Sequence, residues 1–85
     1  MATTKTDIGT WFDEGKDRKA THLIVVCDTL DHEDYPVYAD GNDDCLQKYT
    51  DYNGPNMQRV MEVYDLRKSK DVQLSQIRVM NLPRG

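Results

Sequence analysis

An 85-residue chain with 38% hydrophobic residues, 31% charged residues and a net charge of −4 has room for one core. It buries only roughly 60–65% of its unfolded-chain surface, which leaves little volume for a deep catalytic cleft. The longest apolar run, residues 23–27, is far too short to span a membrane, and the acidic excess argues against nucleic-acid binding over the whole surface, which needs a dominant basic face.

In chain order, the first ten residues contain no apolar h-region, so no secretory signal is expected and the setting reads as cytoplasmic. Thr6 is a candidate N-cap with Asp7 in the first turn. Ile8, Trp11, Phe12 and Gly15 then fall on one helical face, predicting a helix over residues 6–18. Gly15 weakens that helix unless close packing on a sheet requires it. "HLIVVCDT" reads as a buried central strand. "DHEDYP" reads as a turn, and "VYA", residues 37–39, as a short antiparallel return with Pro36 at its start.

Asn42 or Asp40 is expected to cap a second helix, with Asp43 and Asp44 near its positive end and Cys45, Leu46, Tyr49 and Tyr52 as its apolar stripe. "NGP" ends it. Residues 57–66 form the third strand, and strict alternation puts Met57, Met61 and Val63 on one face and Val60, Tyr64 and Leu66 on the other. Ser69 can cap a helical turn over residues 70–76, leaving "IRVMNLPRG" as a packed tail or late strand. The expected fold class is α+β: a single small domain over residues 1–85, in α-β-β-α-β order with a short C-terminal helical turn. Its helices pack on a mainly antiparallel three-stranded sheet, and residues 1–5 and 82–85 are expected to be flexible.

Charge is unevenly spread. Residues 28–51 hold eight acids against Lys48 alone, whereas residues 52–85 hold six bases against three acids. Four kinds of chemistry compete for these residues. "VVCDTLD" superficially resembles the nucleophile strand of haloacid-dehalogenase-like phosphatases. Leu30 stands where their second aspartate is needed, however, so Asp28 reads as a strand-end turn residue. His22, Cys27, His32 and Cys45 match no zinc spacing, and strand parity sends His22 and Cys27 to opposite faces. Both cysteines therefore read as free thiols and small core residues. Asp28, Asp31, Glu33 and Asp34 offer oxygens to a hard cation without an EF-hand pattern. His32, between Asp31 and Glu33, is the one candidate base, and no nucleophile or phosphate-loop motif accompanies it. No metal and no cofactor are expected.

The segments "ATHLIVVCDTLDHEDYPVY" and "GPNMQRVMEVYDLRK", together with "WFDEG" and "QLSQIRVMN", give a sequence that resembles a set of small bacterial and bacteriophage proteins. The resemblance implies a prokaryotic or phage origin and a cytoplasmic setting. It carries no catalytic or ligand motif and so implies no mechanism. By analogy of size and charge, such proteins act by blocking a host machine, as anti-CRISPR and nucleic-acid-mimic proteins do.

The functional expectation is a non-enzymatic interaction protein. Asp31, Glu33, Asp34 and Tyr35, with Asp43 and Asp44, would dock on a basic surface of another protein, such as a host defence or nucleic-acid-handling complex. Direct nucleic-acid binding and membrane association are not expected, and an open strand edge leaves a homodimer open. The competing expectation is a nucleotide or small-molecule binder, with its site at an oligomer interface and Arg59, Arg67, Lys68, Lys70 and Arg78 contacting phosphate. Solubility alone also favours an acidic loop.

Overall fold

The apolar run after Thr21 becomes the centre of the sheet. In the computed structural model, which describes residues 4–31, 33–54, 57–76 and 79–82, β1 (His22–Asp28) lies between β2 (Glu33–Ala39) and β3 (Gln58–Asp65) and is antiparallel to both. Residues 22–26 are all buried, as an uninterrupted apolar strand requires when both faces of a sheet are covered. β2 and β3 are therefore parallel to each other on opposite sides of β1. A helical crossover must carry the chain between them, and α2 (Asn42–Tyr52) supplies it. With α1 (Lys5–Asp17) and α3 (Lys70–Leu74), the order is α-β-β-α-β-α, an α+β fold as expected.

Each face of the sheet has its own core. Leu23, Val25, Tyr64, Leu66 and Val79 pack beneath Ile8 and Phe12 of α1, joined by Trp11, Tyr38 and Leu74. On the other face, Ile24, Val26, Ala39, Val60 and Val63 pack against Cys45 of α2, with Tyr35, Val37, Tyr49 and Tyr52 at the margin. The Phe12 and Tyr64 rings meet edge to face at 6.3 Å, the geometry their quadrupoles favour.

Several boundaries differ from the expected ones for identifiable reasons. The N-cap of α1 is Thr4 rather than Thr6. Thr4 and Asp7 form a capping box in which each side chain accepts the other's backbone N–H at 3.2 Å. Thr4 and Lys5 thus belong to the helix end rather than to a flexible terminus; the remainder of that expectation, residues 1–3 and 83–85, lies outside the described residues. β2 begins at Glu33, four residues earlier than "VYA". Pro36 sits inside it opposite Val25, tolerated because an edge strand can turn a missing amide outward. The turn shrinks accordingly.

In β3 the pairing register shifts between Val25 and Val26. The bulge puts Val60 and Val63 on the α2 face together, while Tyr64 and Leu66 take the α1 face. Strict alternation fails there because a bulge inserts one residue and reverses parity. α2 starts from Gly41, at φ 105°, without a side-chain cap. Neither Asn42 nor Asp40 fills that role, since Asn42 is engaged by Arg67 and Asp40 receives Asp44 at its own N–H. The expected "NGP" helix stop has Asn53 as C-cap, and Pro55 lies outside the described residues. The C-terminal segment pairs along the outer edge of β3: Val63 N–H donates to the Val79 carbonyl and Asn81 N–H to the Val63 carbonyl, both at 2.9 Å. Leu82 packs on the α2-side core rather than hanging free.

Gly15 lets α1 lie close against the Leu66 and Tyr38 side chains. A Cβ there would stand 2.6 Å from Leu66 Cδ1 and 3.0 Å from Tyr38 Cε1, whereas one at Gly9 would meet only ordinary contact at 3.5 Å from Lys70. Helix propensity favours alanine over glycine by about 1 kcal/mol, and overpacking costs about 1–3 kcal/mol. Gly9→Ala is therefore expected to raise the urea midpoint and Gly15→Ala to lower it. Matching shifts of the same sign in the two variants would contradict this packing.

Candidate functional site

The two ends of the sheet differ in chemistry. At one end β1 leaves the core and turns into β2 over residues 29–31. Asp28 Oδ1 accepts the N–H groups of Leu30 and Asp31 at 2.9 and 3.3 Å, an Asx-type turn that occupies this carboxylate locally. The Thr29 amide and hydroxyl both donate to the Met57 carbonyl, at 2.8 and 2.7 Å, tying the turn to the entrance of β3. Met57 is held at φ 59°, a left-handed conformation uncommon for a non-glycine residue. Leu30 and Met57 are 68% and 62% exposed, the two most exposed large apolar side chains among the described residues. Asp31 and Glu33 are exposed and Asp34 is half-buried. Arg59, opposite Cys27, is the base that β3 contributes at this end.

The other proposed docking residues go elsewhere. Tyr35 turns to the α2 face, where its ring meets Tyr52 edge to face at 6.5 Å and its hydroxyl accepts from the Gln58 amide. Burial raises its pKa. Asp43 and Asp44 open α2 at the far end of β2, about 20 Å from Glu33 at ~3.3 Å per strand residue. Asp44 is engaged there with Lys48 at 2.8 Å and with the Asp40 N–H at 2.9 Å, and these contacts lower its pKa. The acidic stretch is thus two separate groups.

Among the described residues, only Arg67 and Lys68 of the candidate bases line a common cleft. Arg59 is at the acidic end and Arg67 beyond the opposite end of β3. Lys70 pairs with Asp13 of α1 at 2.9 Å. Arg78 and His32 lie outside the described residues. Among the described residues, no group of three or more His, Cys, Asp or Glu is placed to hold a metal ion, and no helix is long and apolar enough to cross a membrane. Cys45 is buried, which lifts its thiol pKa to about 11. Cys27, at the strand end, is only half-buried, not the core residue expected.

The opposite end of the sheet carries a polar network that sequence reasoning missed. His22, Asp65 and Gln73 are buried polar residues, and none has an unsatisfied buried side-chain atom. Arg67 donates from Nε to Asp65 Oδ1 at 3.1 Å and from Nη2 to Asp65 Oδ2 at 3.3 Å. The same Nη2 reaches Asn42 Oδ1 at 3.1 Å and His22 Nε2 at 3.4 Å. Burial raises the Asp65 pKa, but the hydrogen bonds from Arg67 outweigh it and the net shift is downward. Gln73 of α3 accepts from the Asp65 N–H and from Asn81 Nδ2, and donates to the Asp65 and Ser69 carbonyls. An open cleft of ≈ 550 Å³ lies against this network. The available sequence signal was modest: polar residues at the two strand termini that become neighbours, His22 and Asp65.

Comparison of the chain with protein-family models, with curated proteins and with solved structures returns no match.

Proposed function

We propose that this chain is a non-enzymatic interaction protein whose acidic end docks on a basic surface of another protein. The observation that carries the reading is the pair Leu30 and Met57: two strongly exposed apolar side chains on segments tied together through Thr29, beside the acids Asp31, Glu33 and Asp34. Apolar centres with a charged rim are how protein interfaces divide affinity from steering. Fully burying a side chain of this size contributes about 1.5–3 kcal/mol, while a carboxylate rim raises the rate of encounter with a basic partner and makes it salt-dependent. Tyr35, whose ring meets Tyr52 on the α2 face, lies outside this surface. In the same reading the protein is of phage or mobile-element origin, and its target is a host defence or nucleic-acid-handling protein, itself basic on the face that meets nucleic acid.

Capture from bacterial lysate with wild type, Asp31→Lys/Glu33→Lys/Asp34→Lys and Leu30→Ala tests this, followed by titration with the purified captured protein. A genuine partner should bind the triple variant with little remaining salt dependence and at least about tenfold slower association at low salt. It should bind Leu30→Ala about tenfold more weakly, mainly through faster dissociation. Equal recovery and equal affinity across all three would reject the surface.

A further inference from the structure

We propose that the cleft at the opposite end of the sheet, remote from the docking surface and independent of it, binds a nucleoside monophosphate. The cleft runs beside the loop after β3 and under the C-terminal segment. Asn42, Arg67, Lys68, Met80, Asn81 and Leu82 line it, with Asp65 in its wall. Its ≈ 550 Å³ is within the range of about 300–1,000 Å³ common for small-molecule sites.

Its chemistry is divided along its length. Arg67 is held by Asp65 through Nε and Nη2, and its Nη1 makes no hydrogen bond among the described residues. The Lys68 ammonium likewise has no partner among them. A guanidinium fixed on one side and open on the other, beside an unpaired ammonium, suits the terminal oxygens of a phosphate monoester. Because the Asp65 contact already orders Arg67, binding does not have to order it again, which lowers the entropic cost. Asp65 is matched by Arg67, so Lys68 leaves this wall with one positive charge in excess.

The remaining lining fits a base. Asn42 accepts from Arg67 through Oδ1, which leaves its Nδ2 as donor. Asn81 donates to Gln73 through Nδ2, which leaves its Oδ1 as acceptor. One free donor and one free acceptor are what the edge of a nucleobase requires. Met80, 37% exposed, and the half-buried Leu82 give an apolar patch for a flat ring, with the methionine sulfur suited to aromatic contact. A bare inorganic anion would use neither the amides nor this patch.

The test is calorimetric titration of the full chain with AMP, GMP, CMP and UMP, and with adenosine and ribose 5-phosphate as half-ligands. At least one nucleotide should bind with a Kd below about 1 mM, and each corresponding half-ligand about tenfold more weakly or worse. Lys68→Ala, a change at an exposed residue with no partner, should weaken binding about tenfold or more, as loss of a charge-assisted contact does. Met80→Ala should weaken nucleotide binding and leave ribose 5-phosphate unchanged. Arg59→Ala, at the other end of the sheet, should leave both unchanged. No nucleotide binding at millimolar concentration would overturn the proposal, as would equal losses in Lys68→Ala and Arg59→Ala. Ribose 5-phosphate binding as tightly as the nucleotide would overturn the nucleoside assignment.

Discussion

Gln73→Glu is expected to lower the stability of the fold by about 3–5 kcal/mol. The Gln73 side chain completes what the backbone cannot at the end of β3. Its carbonyl accepts the Asp65 N–H at 2.8 Å and Asn81 Nδ2 at 2.7 Å, and its amide donates to the Asp65 and Ser69 carbonyls at 2.9 and 3.0 Å. It therefore acts as a short piece of strand partner that joins β3, α3 and the C-terminal segment. Glutamate keeps the acceptor but turns the donor into a charged oxygen facing two carbonyl oxygens, at a site where Gln73 is 3% exposed. Two hydrogen bonds are lost at about 1 kcal/mol each, and a buried charge without a partner adds several more. A domain of 85 residues has a total stability of about 4–13 kcal/mol, so the variant should lose from about a quarter to all of it. Gln73→Leu, which leaves the Asp65 N–H unpaired without adding charge, should cost about 2–4 kcal/mol. Urea unfolding of the three proteins checks both values; a loss under about 1 kcal/mol in Gln73→Glu would mean that the amide does not bridge these elements.

What could be read of the fold without coordinates was what depends on short-range pattern. Residues 22–26 declare a strand because nothing in them is polar after His22. α1 declares its face because Ile8 and Phe12 recur at helical spacing, and both are buried. Even the glycine that breaks the pattern, Gly15, had a legible reason in close packing on the sheet. The failures lie where a tertiary partner overrides local preference. Pro36 reads as a strand boundary until β2 is known to be an edge strand. Met61 reads as sharing a face with Val63 until the bulge breaks the alternation between them. Asn42 reads as a helix cap until Arg67, 25 residues later, takes its carbonyl.

The candidate sites were less legible for the same reason. The charge map located Asp31 and Glu33 correctly as surface, yet it grouped them with Asp43 and Asp44, which are close in sequence and stand at the other end of β2. A seven-residue strand is long enough to turn one acidic run into two unrelated patches. Leu30 was seen only as the residue that defeats a phosphatase motif, and its exposure appears once the turn is folded. The Asp65–Gln73–Asn81 network joins three segments, β3, α3 and the C-terminal stretch, and contacts between different elements leave no periodic pattern in the sequence.

His22 makes the second large prediction: stability should fall as pH is lowered from 7.5 to 5. The ring is fully buried, and its tautomer follows from its neighbours. Thr21 Oγ1 accepts the Gly41 N–H at 2.7 Å and donates to the Ala39 carbonyl at 3.3 Å. A guanidinium can only donate, so Nε2 is the ring acceptor toward Arg67 Nη2 at 3.4 Å and the ring proton sits on Nδ1, which donates to Thr21 Oγ1 at 2.8 Å. Protonating Nε2 would bury a second positive group against the guanidinium. Burial is the largest cause of the lowered His22 pKa; Asp65, 4.0 Å away, opposes it, and Arg67 and Lys68 add to it. The folded pKa is therefore below the ordinary value of 6.5, and below pH 6.5 the unfolded chain takes up a proton that the fold resists. The His22 contribution is complete above that pH and is lost as pH falls through the folded value, with a slope of up to ~1.4 kcal/mol per pH unit. Asp65, whose pKa is also lowered, adds a loss of the same sign only below about pH 3.8, so the two windows separate. Urea midpoints at pH 7.5, 6.5, 5.5 and 5.0 should fall for wild type, whereas His22→Gln, less stable at neutral pH, should lose most of that slope. An imidazole titration midpoint for His22 at or above 6.5 would mean that Asp65 rather than burial governs the ring, and a slope that survives His22→Gln would mean that another group carries the pH dependence.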